Sequence, residues 1–239
     1  MNIEKRLLEI WGNDYCNALP DNIKERGFCY CLNSEQRDIL ITGFNPSFRE
    51  GDNPTSCSFD FVKSLNSVKY DNYFGPIRKM LFDSKNNIDL RSQTAYVDLF
   101  YFREQRQECF KKQILNNNQN FQFIIDQVNL TQNIIERVIR PKLIIVKNKE
   151  SWAYFGKLFN EKGWVWMGYE FEFIQNMICG ELFKISGLIK SNERVSPEIT
   201  KTNLNNTLIL FTNHITQYTS KEKRPTIETI QTLLDDTRK

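Results

Sequence analysis

Asp38-Ile-Leu-Ile-Thr-Gly-Phe-Asn-Pro-Ser47 opens as a short run of β-forming apolar residues and closes in a turn-forming Gly-x-Asn-Pro. Far downstream, Thr207-Leu-Ile-Leu-Phe-Thr212 repeats the apolar run and leads to His214, the only histidine of the chain. If both runs are strands of one parallel sheet, their carboxyl ends share an edge, and open α/β sheets hold their ligands at that edge. Asn45 and His214 then belong to one cleft.

The remaining elements alternate in the order such a sheet needs. An amphipathic helix over Ile3 to Trp11 comes first, then a strand near Phe28 to Leu32. After the quoted stretch, a helix from Phe74 to about Phe82 tolerates Pro76 in its first turn. Thr94-Ala-Tyr-Val-Asp-Leu-Phe100 is a second core strand. Apolar residues from Phe121 to Ile139 recur at the helical period, Pro141 ends that helix, and Lys142-Leu-Ile-Ile-Val146 is a third core strand. Ser151 can cap a helix reaching about Glu161. Trp164 to Ile174 alternates in part and reads as an added hairpin, Ser191 to Asn206 as a polar connector, and Thr226 to about Asp236 as a last helix. Strands alternating with helices imply right-handed parallel crossovers. The expected architecture is a three-layer α/β/α domain with a central, mainly parallel four-stranded sheet plus an inserted β-hairpin.

With 239 residues and 40% hydrophobic content, the chain can bury a full core as one domain. That domain is expected to span residues 1–239, with a core of about 28–220, an insertion of about 163–190 and a C-terminal helix of about 226–237. The formal charge of +3 permits contact with polyanions without requiring it. Neither the start, Met1 to Ile10, nor any later stretch has the apolar length of a signal peptide or membrane span. A soluble, cytoplasmic monomer with no membrane partner is expected. The six cysteines form no CxxC pair, so they read as reduced thiols packed as small hydrophobes; no metal and no cofactor is expected.

Each core strand brings a polar side chain to or near its carboxyl end: Asn45, Asp98, Asn148 and His214. Each has a plain structural alternative. Gly, Asn and Pro are what tight turns use, and a lone histidine can be a hydrogen-bonded structural residue. The fold alone fixes no function.

Gly43-Phe-Asn-Pro-Ser47 resembles the first motif of the uracil-DNA glycosylase superfamily, whose mismatch-specific and single-strand-selective branches read Gly-x-Asn-Pro-Gly after the first core strand. Asn213-His-Ile-Thr-Gln-Tyr-Thr-Ser220 resembles the second motif, which begins with His in most branches. The resemblance covers roughly Asp38 to Ser220. It implies a DNA glycosylase-like hydrolase that cleaves the N-glycosidic bond of uracil or another altered base in single- or double-stranded DNA, extruding the nucleotide where a duplex hides it. The alternative is a non-catalytic nucleic-acid- or nucleotide-binding protein on the same fold.

On that resemblance Asn45 would hold the attacking water and His214 would stabilise the departing base, with Gly43, Phe44, Pro46 and Ser47 around the substrate. Phe59 and Phe61 stand where the family places its stacking aromatic; core packing accounts for them equally. Asp98 replaces an Asn that reads the uracil edge. A carboxylate only accepts, which disfavours a carbonyl and favours bases with more N–H groups, unless Asp98 simply bonds local backbone. Ile215 and Thr216 replace Pro-Ser in the second motif, with Tyr218 where a wedge would be. Lys221, Lys223 and Arg224 follow and can neutralise phosphates, or form a solvated loop.

Overall fold

A computed structural model of the protein describes residues 1–32, 34–67, 71–157 and 163–237. Six strands form the central sheet: β1 (Ile39–Gly43), β2 (Thr94–Asp98), β3 (Leu143–Val146), β4 (Tyr169–Met177), β5 (Gly180–Leu188) and β6 (Leu208–Thr212). Their spatial order is β2-β1-β3-β6-β5-β4. β1 pairs in parallel with β2 and β3, and β6 pairs in parallel with β3. Every residue of these four strands is buried, as strands covered on both faces must be.

The two faces carry separate apolar clusters. Leu40, Ile144 and Ile209 pack with Leu7 and Ile10 of α1 (Ile3–Trp11) and with Phe123, Ile124 and Val128 of the long helix at Phe121–Asn133. Ile39, Ile41, Ile145 and Leu210 pack with Ile77 and Met80 of α2 (Phe74–Leu81) and with Ile230 and Leu233 of the last helix, Ile227–Asp236. The helices at Phe121–Asn133 and Ile227–Asp236 are α3 and α4. Asn2 caps α1 by accepting from Lys5 N at 2.9 Å, and Thr226 caps α4 by accepting from Thr229 N at 3.2 Å. α3 runs on into π-helical turns over Ile134–Ile139 and ends at Arg140, which takes a left-handed conformation before Pro141.

The hairpin is not an appendage to a four-stranded sheet. β5 pairs antiparallel with β6 through residues 180–184, and β4 forms the outer edge. An antiparallel neighbour needs no crossover, and Phe183 meets Phe211 with ring centroids 5.7 Å apart, so the apolar layer continues across the junction. β4 is largely exposed, has two register shifts and carries Glu170 and Glu172, features that keep an edge from pairing with other chains. Two shorter differences follow from local chemistry. The strand expected near Phe28 to Leu32 is Cys29–Cys31, which pairs in parallel with Cys57–Phe59 outside the central sheet. The helix expected from Ser151 to about Glu161 is a single turn, Trp152–Phe155, stopped by Gly156 at φ 116°; residues 158–162 lie outside those described. Among the described residues no helix is long and apolar enough to cross a membrane.

The connector Ser191 to Asn206 is pinned to the buried polar side of α3 and its π-helical extension. Ser196 Oγ donates to Asn129 Oδ1 at 2.7 Å and to Gln132 Oε1 at 3.1 Å. Glu136 is fully buried, and its carboxyl accepts from Thr202 Oγ1 at 2.7 Å, Asn203 N at 2.8 Å and Tyr169 Oη at 3.0 Å. Removing that carboxyl strands three donors, two of them on the buried Thr202 and Tyr169. Glu136→Ala is expected to lower the unfolding free energy by about 2–4 kcal/mol, read as a shift of the urea midpoint, whereas Glu228→Ala on exposed α4 surface shifts it by less than about 0.5 kcal/mol.

Candidate active site

The parallel register decides what meets at the carboxyl edge. Gly43 at the end of β1 lies opposite Asp98 at the end of β2, and Thr42 lies opposite Val146, so Lys147 is the first residue past the other neighbour. A Cβ at Gly43 would overlap Asp98 Oδ1, Tyr96 Oη and Tyr73 Oη. Glycine here leaves room for a buried polar chain. Tyr73 Oη and Tyr96 Oη are 2.5 Å apart, and Tyr96 Oη donates to Asp98 Oδ1 at 2.7 Å.

Beyond Gly43 the chain keeps strand-like pairing with the segment after β2: Leu99 N donates to Gly43 O, Phe100 N to Phe44 O and Glu104 N to Pro46 O. This fixes Asn45. Its Nδ2 donates to the carbonyls of Glu104 at 2.6 Å, Pro46 at 2.9 Å and Phe102 at 3.4 Å. Three carbonyl acceptors orient the amide, because only the NH₂ end can serve them. Among the described residues none donates to Asn45 Oδ1, which stays free to accept.

Asn45 borders two cavities. The larger, about 530 Å³, is also lined by Phe44, Ser47, Lys147, Asn148 and His214. The smaller, about 150 Å³, is lined by Asn45 with Cys29, Pro46, Phe59, Phe74 and Asp98. Ser47, Arg49 and Tyr73 border both.

Burial dominates the electrostatics. It pushes the Asp98 carboxyl up to about 6, opposed by the Tyr96 hydrogen bond and the Lys147 charge. It pushes Lys147 down to about 8, opposed by Asp98. Lys147 is 1% exposed, its Nζ sits 3.6 Å from the Tyr73 ring centroid, and among the described residues it has no hydrogen-bond partner. His214 is exposed at the rim, but partial desolvation and the Lys147 charge lower its pKa, so the imidazole is neutral at pH 7. Ile215 N donates to Lys147 O at 3.2 Å, tying the histidine loop to the end of β3.

Asn45 and His214 therefore border one cleft, and Asp98 and Phe59 share the side pocket that Asn45 also borders. Other expected site residues are placed elsewhere. Phe61 is fully buried and stacks on Tyr96 with centroids 5.3 Å apart, so it is core and not a stacking platform. Asp60 caps the helix that begins at Phe61 and turns that ring inward. Asn148 does line the larger cavity, and its side chain caps the turn after β3 by accepting from Glu150 N. Arg224 donates through Nη2 to the carbonyls of Gln217 and Thr219, bracing the loop. Thr216 Oγ1 accepts from Tyr218 N, and Tyr218 projects 87% exposed from that braced loop. Lys221 and Lys223 are exposed beside it.

Lys147, Tyr73 and Tyr96 escaped the sequence reading. For Lys147 a signal existed: a lysine directly after the apolar run Leu143–Val146 is delivered to the ligand edge by the same geometry as Asn45. No known protein family, curated protein or solved structure matches the chain.

All six cysteines are free thiols. Cys29 and Cys57 are opposite each other in the short parallel pair. The Cys29 thiol donates a hydrogen bond that lowers Cys57 to about 6, against burial and with help from Arg103. A thiolate at neutral pH is the form that alkylates. At pH 7 iodoacetamide is expected to modify Cys57 about tenfold faster than Cys109, allowing for the weaker nucleophilicity of a low-pKa thiolate; peptide mapping reads the rates. Gly43→Ala forces a methyl group into the Tyr73–Tyr96–Asp98 chain, with an expected loss of about 1–3 kcal/mol in urea unfolding.

Proposed function

We propose that this protein hydrolyses the N-glycosidic bond of an altered base in DNA, the uracil-DNA glycosylase-like activity that its two motifs resemble. The observation that carries the reading is the shared cleft of Asn45 and His214, with the Asn45 amide clamped through its nitrogen and its oxygen unspent.

The reaction needs a water held against the anomeric carbon while the bond breaks toward an oxocarbenium-like sugar and an anionic base. An amide oxygen accepts a hydrogen bond from that water and aims it, but is too weak a base to remove its proton early. Catalysis of this kind rests on position and on charge stabilisation. The neutral His214 imidazole donates an N–H toward the departing base, and the buried Lys147 charge behind it adds to the favourable potential. The side pocket holds the base edge: Phe59 and Phe74 supply apolar walls and Asp98 accepts N–H groups. The exposed Arg49 and Lys149 at the rim face phosphates, and Tyr218 is the wedge against the stack.

Asp98 also sets substrate preference. With its carboxyl near 6, it is mostly an acceptor at pH 7.5 and gains a donor as the pH falls below 6. Bases richer in N–H groups are favoured at neutral pH.

Purified protein with single- and double-stranded oligonucleotides carrying uracil, hypoxanthine, xanthine or a mismatch, followed by alkali, tests the activity. Strand cleavage on one of these is expected, falling on the order of 10²-fold or more in Asn45→Ala and in His214→Ala. Absence of cleavage on every substrate would overturn the activity, and salt-sensitive binding alone would make the protein a binding module. Cleavage that persists in the double variant would overturn the site.

A further inference from the structure

We propose that Lys147 is an imine-forming amine that captures the C1′ aldehyde of a base-free deoxyribose in the cleft, an inference that rests on the cleft being one for DNA sugars.

The side chain is placed as a structural lysine rarely is. Lys157, for comparison, is spent on an ion pair with Glu181 at 2.8 Å. Lys147 is more deeply buried, and among the described residues no hydrogen-bond acceptor meets its Nζ. What meets it is the face of Tyr73 at 3.6 Å, and the nearest carboxylate charge, Asp98, already accepts from Tyr96. A dry, unpaired ammonium costs stability, and burial is one of the ways an amine is made nucleophilic. Lys147 also borders the cleft shared by Asn45 and His214.

Desolvation supplies the reactive form. With the amine pushed down to about 8, roughly a tenth is unprotonated at pH 7, against well under 1% for an ordinary lysine. Loss of the proton also removes the cation–π attraction that holds Nζ to the Tyr73 ring, so the form that can attack is the form that is released.

The chemistry balances without an outside oxidant. Once the base has left, the sugar hemiacetal opens to an aldehyde at C1′. The Nζ lone pair attacks that carbon, the C=O π pair moves to oxygen, and the carbinolamine expels the oxygen as water with the two amine hydrogens. A C=N bond joins Lys147 to the sugar. Borohydride reduces that bond by delivering hydride to carbon, giving a stable secondary amine.

The experiment incubates the full-length protein with an oligonucleotide carrying a preformed abasic site in the presence of sodium cyanoborohydride. A covalent protein–DNA species is expected, mapped to Lys147 by mass spectrometry. It should fall at least about tenfold in Lys147→Arg, which keeps the charge, and in Lys147→Met, which keeps the volume, with folding checked by circular dichroism. No adduct from the wild-type protein, or an adduct on another residue, overturns the proposal even if both variants unfold. The preformed abasic site bypasses base removal. An adduct at Lys147 without cleavage of any base-bearing oligonucleotide therefore supports the amine and refutes the hydrolase, and cleavage without an adduct does the reverse.

Discussion

The missing side chain at Gly43 is the constraint on which the rest of the edge depends. β1 runs between β2 and β3, so whatever stands at its end is pressed between Asp98 and the start of the segment at Lys147. Only a residue without Cβ lets the three oxygens of Tyr73, Tyr96 and Asp98 close up over it. That closure fixes the Tyr73 ring, and the ring in turn holds Lys147 at the floor of the cleft. The same strand end, one step further on, carries Phe44 into the aromatic core beside Phe100 and Phe110 and turns Asn45 back toward three carbonyls. Packing on one side of Gly43 and electrostatics on the other are therefore set by one backbone position.

Asp98 and Lys147 are each destabilised by burial and each partly rescued by the other. Their signs work in opposite directions along the pH axis. Asp98 is raised, so it contributes most to stability below the ordinary carboxylate range, and that contribution is lost as pH rises through about 6. Lys147 is lowered, so its contribution is full above the ordinary lysine range and is lost as pH falls through about 8. Between about 6 and 8 the fold carries both charges in a dry place, where each makes the other tolerable. Paired hydrophobic residues would hold the same volume at lower cost. A fold that keeps such a pair at the carboxyl edge of a parallel sheet departs from local stability where departures mark sites.

Much of the frame was legible because it depends on short-range rules. Ile39–Gly43 and Leu208–Thr212 are mostly apolar on both faces, as a covered parallel strand requires, and Asn45 and His214 follow from where such strands end. What was not legible depends on partners distant in sequence. β5 joins the sheet through Phe183 against Phe211, a contact that alternation within the hairpin does not reveal. Phe59 and Phe61 look equivalent as residue types, but the cap at Asp60 starts a helix between them and buries the second. Glu136 and Asn129 read as the polar stripe of an amphipathic helix, yet that stripe is buried under a connector that has no periodicity of its own. Lys147 and Arg224 carry the charges expected of solvated residues, and only the tertiary structure turns one into a buried cation and the other into a loop brace.

On the proposed activity, the two cavities would divide the work that a glycosidic bond demands. Asn45 borders both, the larger with His214 and Lys147 and the smaller with Asp98 and Phe59. A bond cleaved between a sugar in one and a base in the other passes the residue whose amide is held most firmly. The sugar gains positive character as the bond stretches, and a buried lysine beside it is unfavourable to that charge. The base gains negative character, and the same lysine favours it. At a distance set by the cleft, the balance depends on which group lies nearer, and the tie from Ile215 to Lys147 sets the histidine loop beside that charge. Desolvation first and that charge second lower the His214 pKa, and a neutral donor can stabilise an anion without being a strong enough acid to be consumed by it. The charge that makes Lys147 expensive to bury thus adds to the desolvation that lowers the His214 pKa.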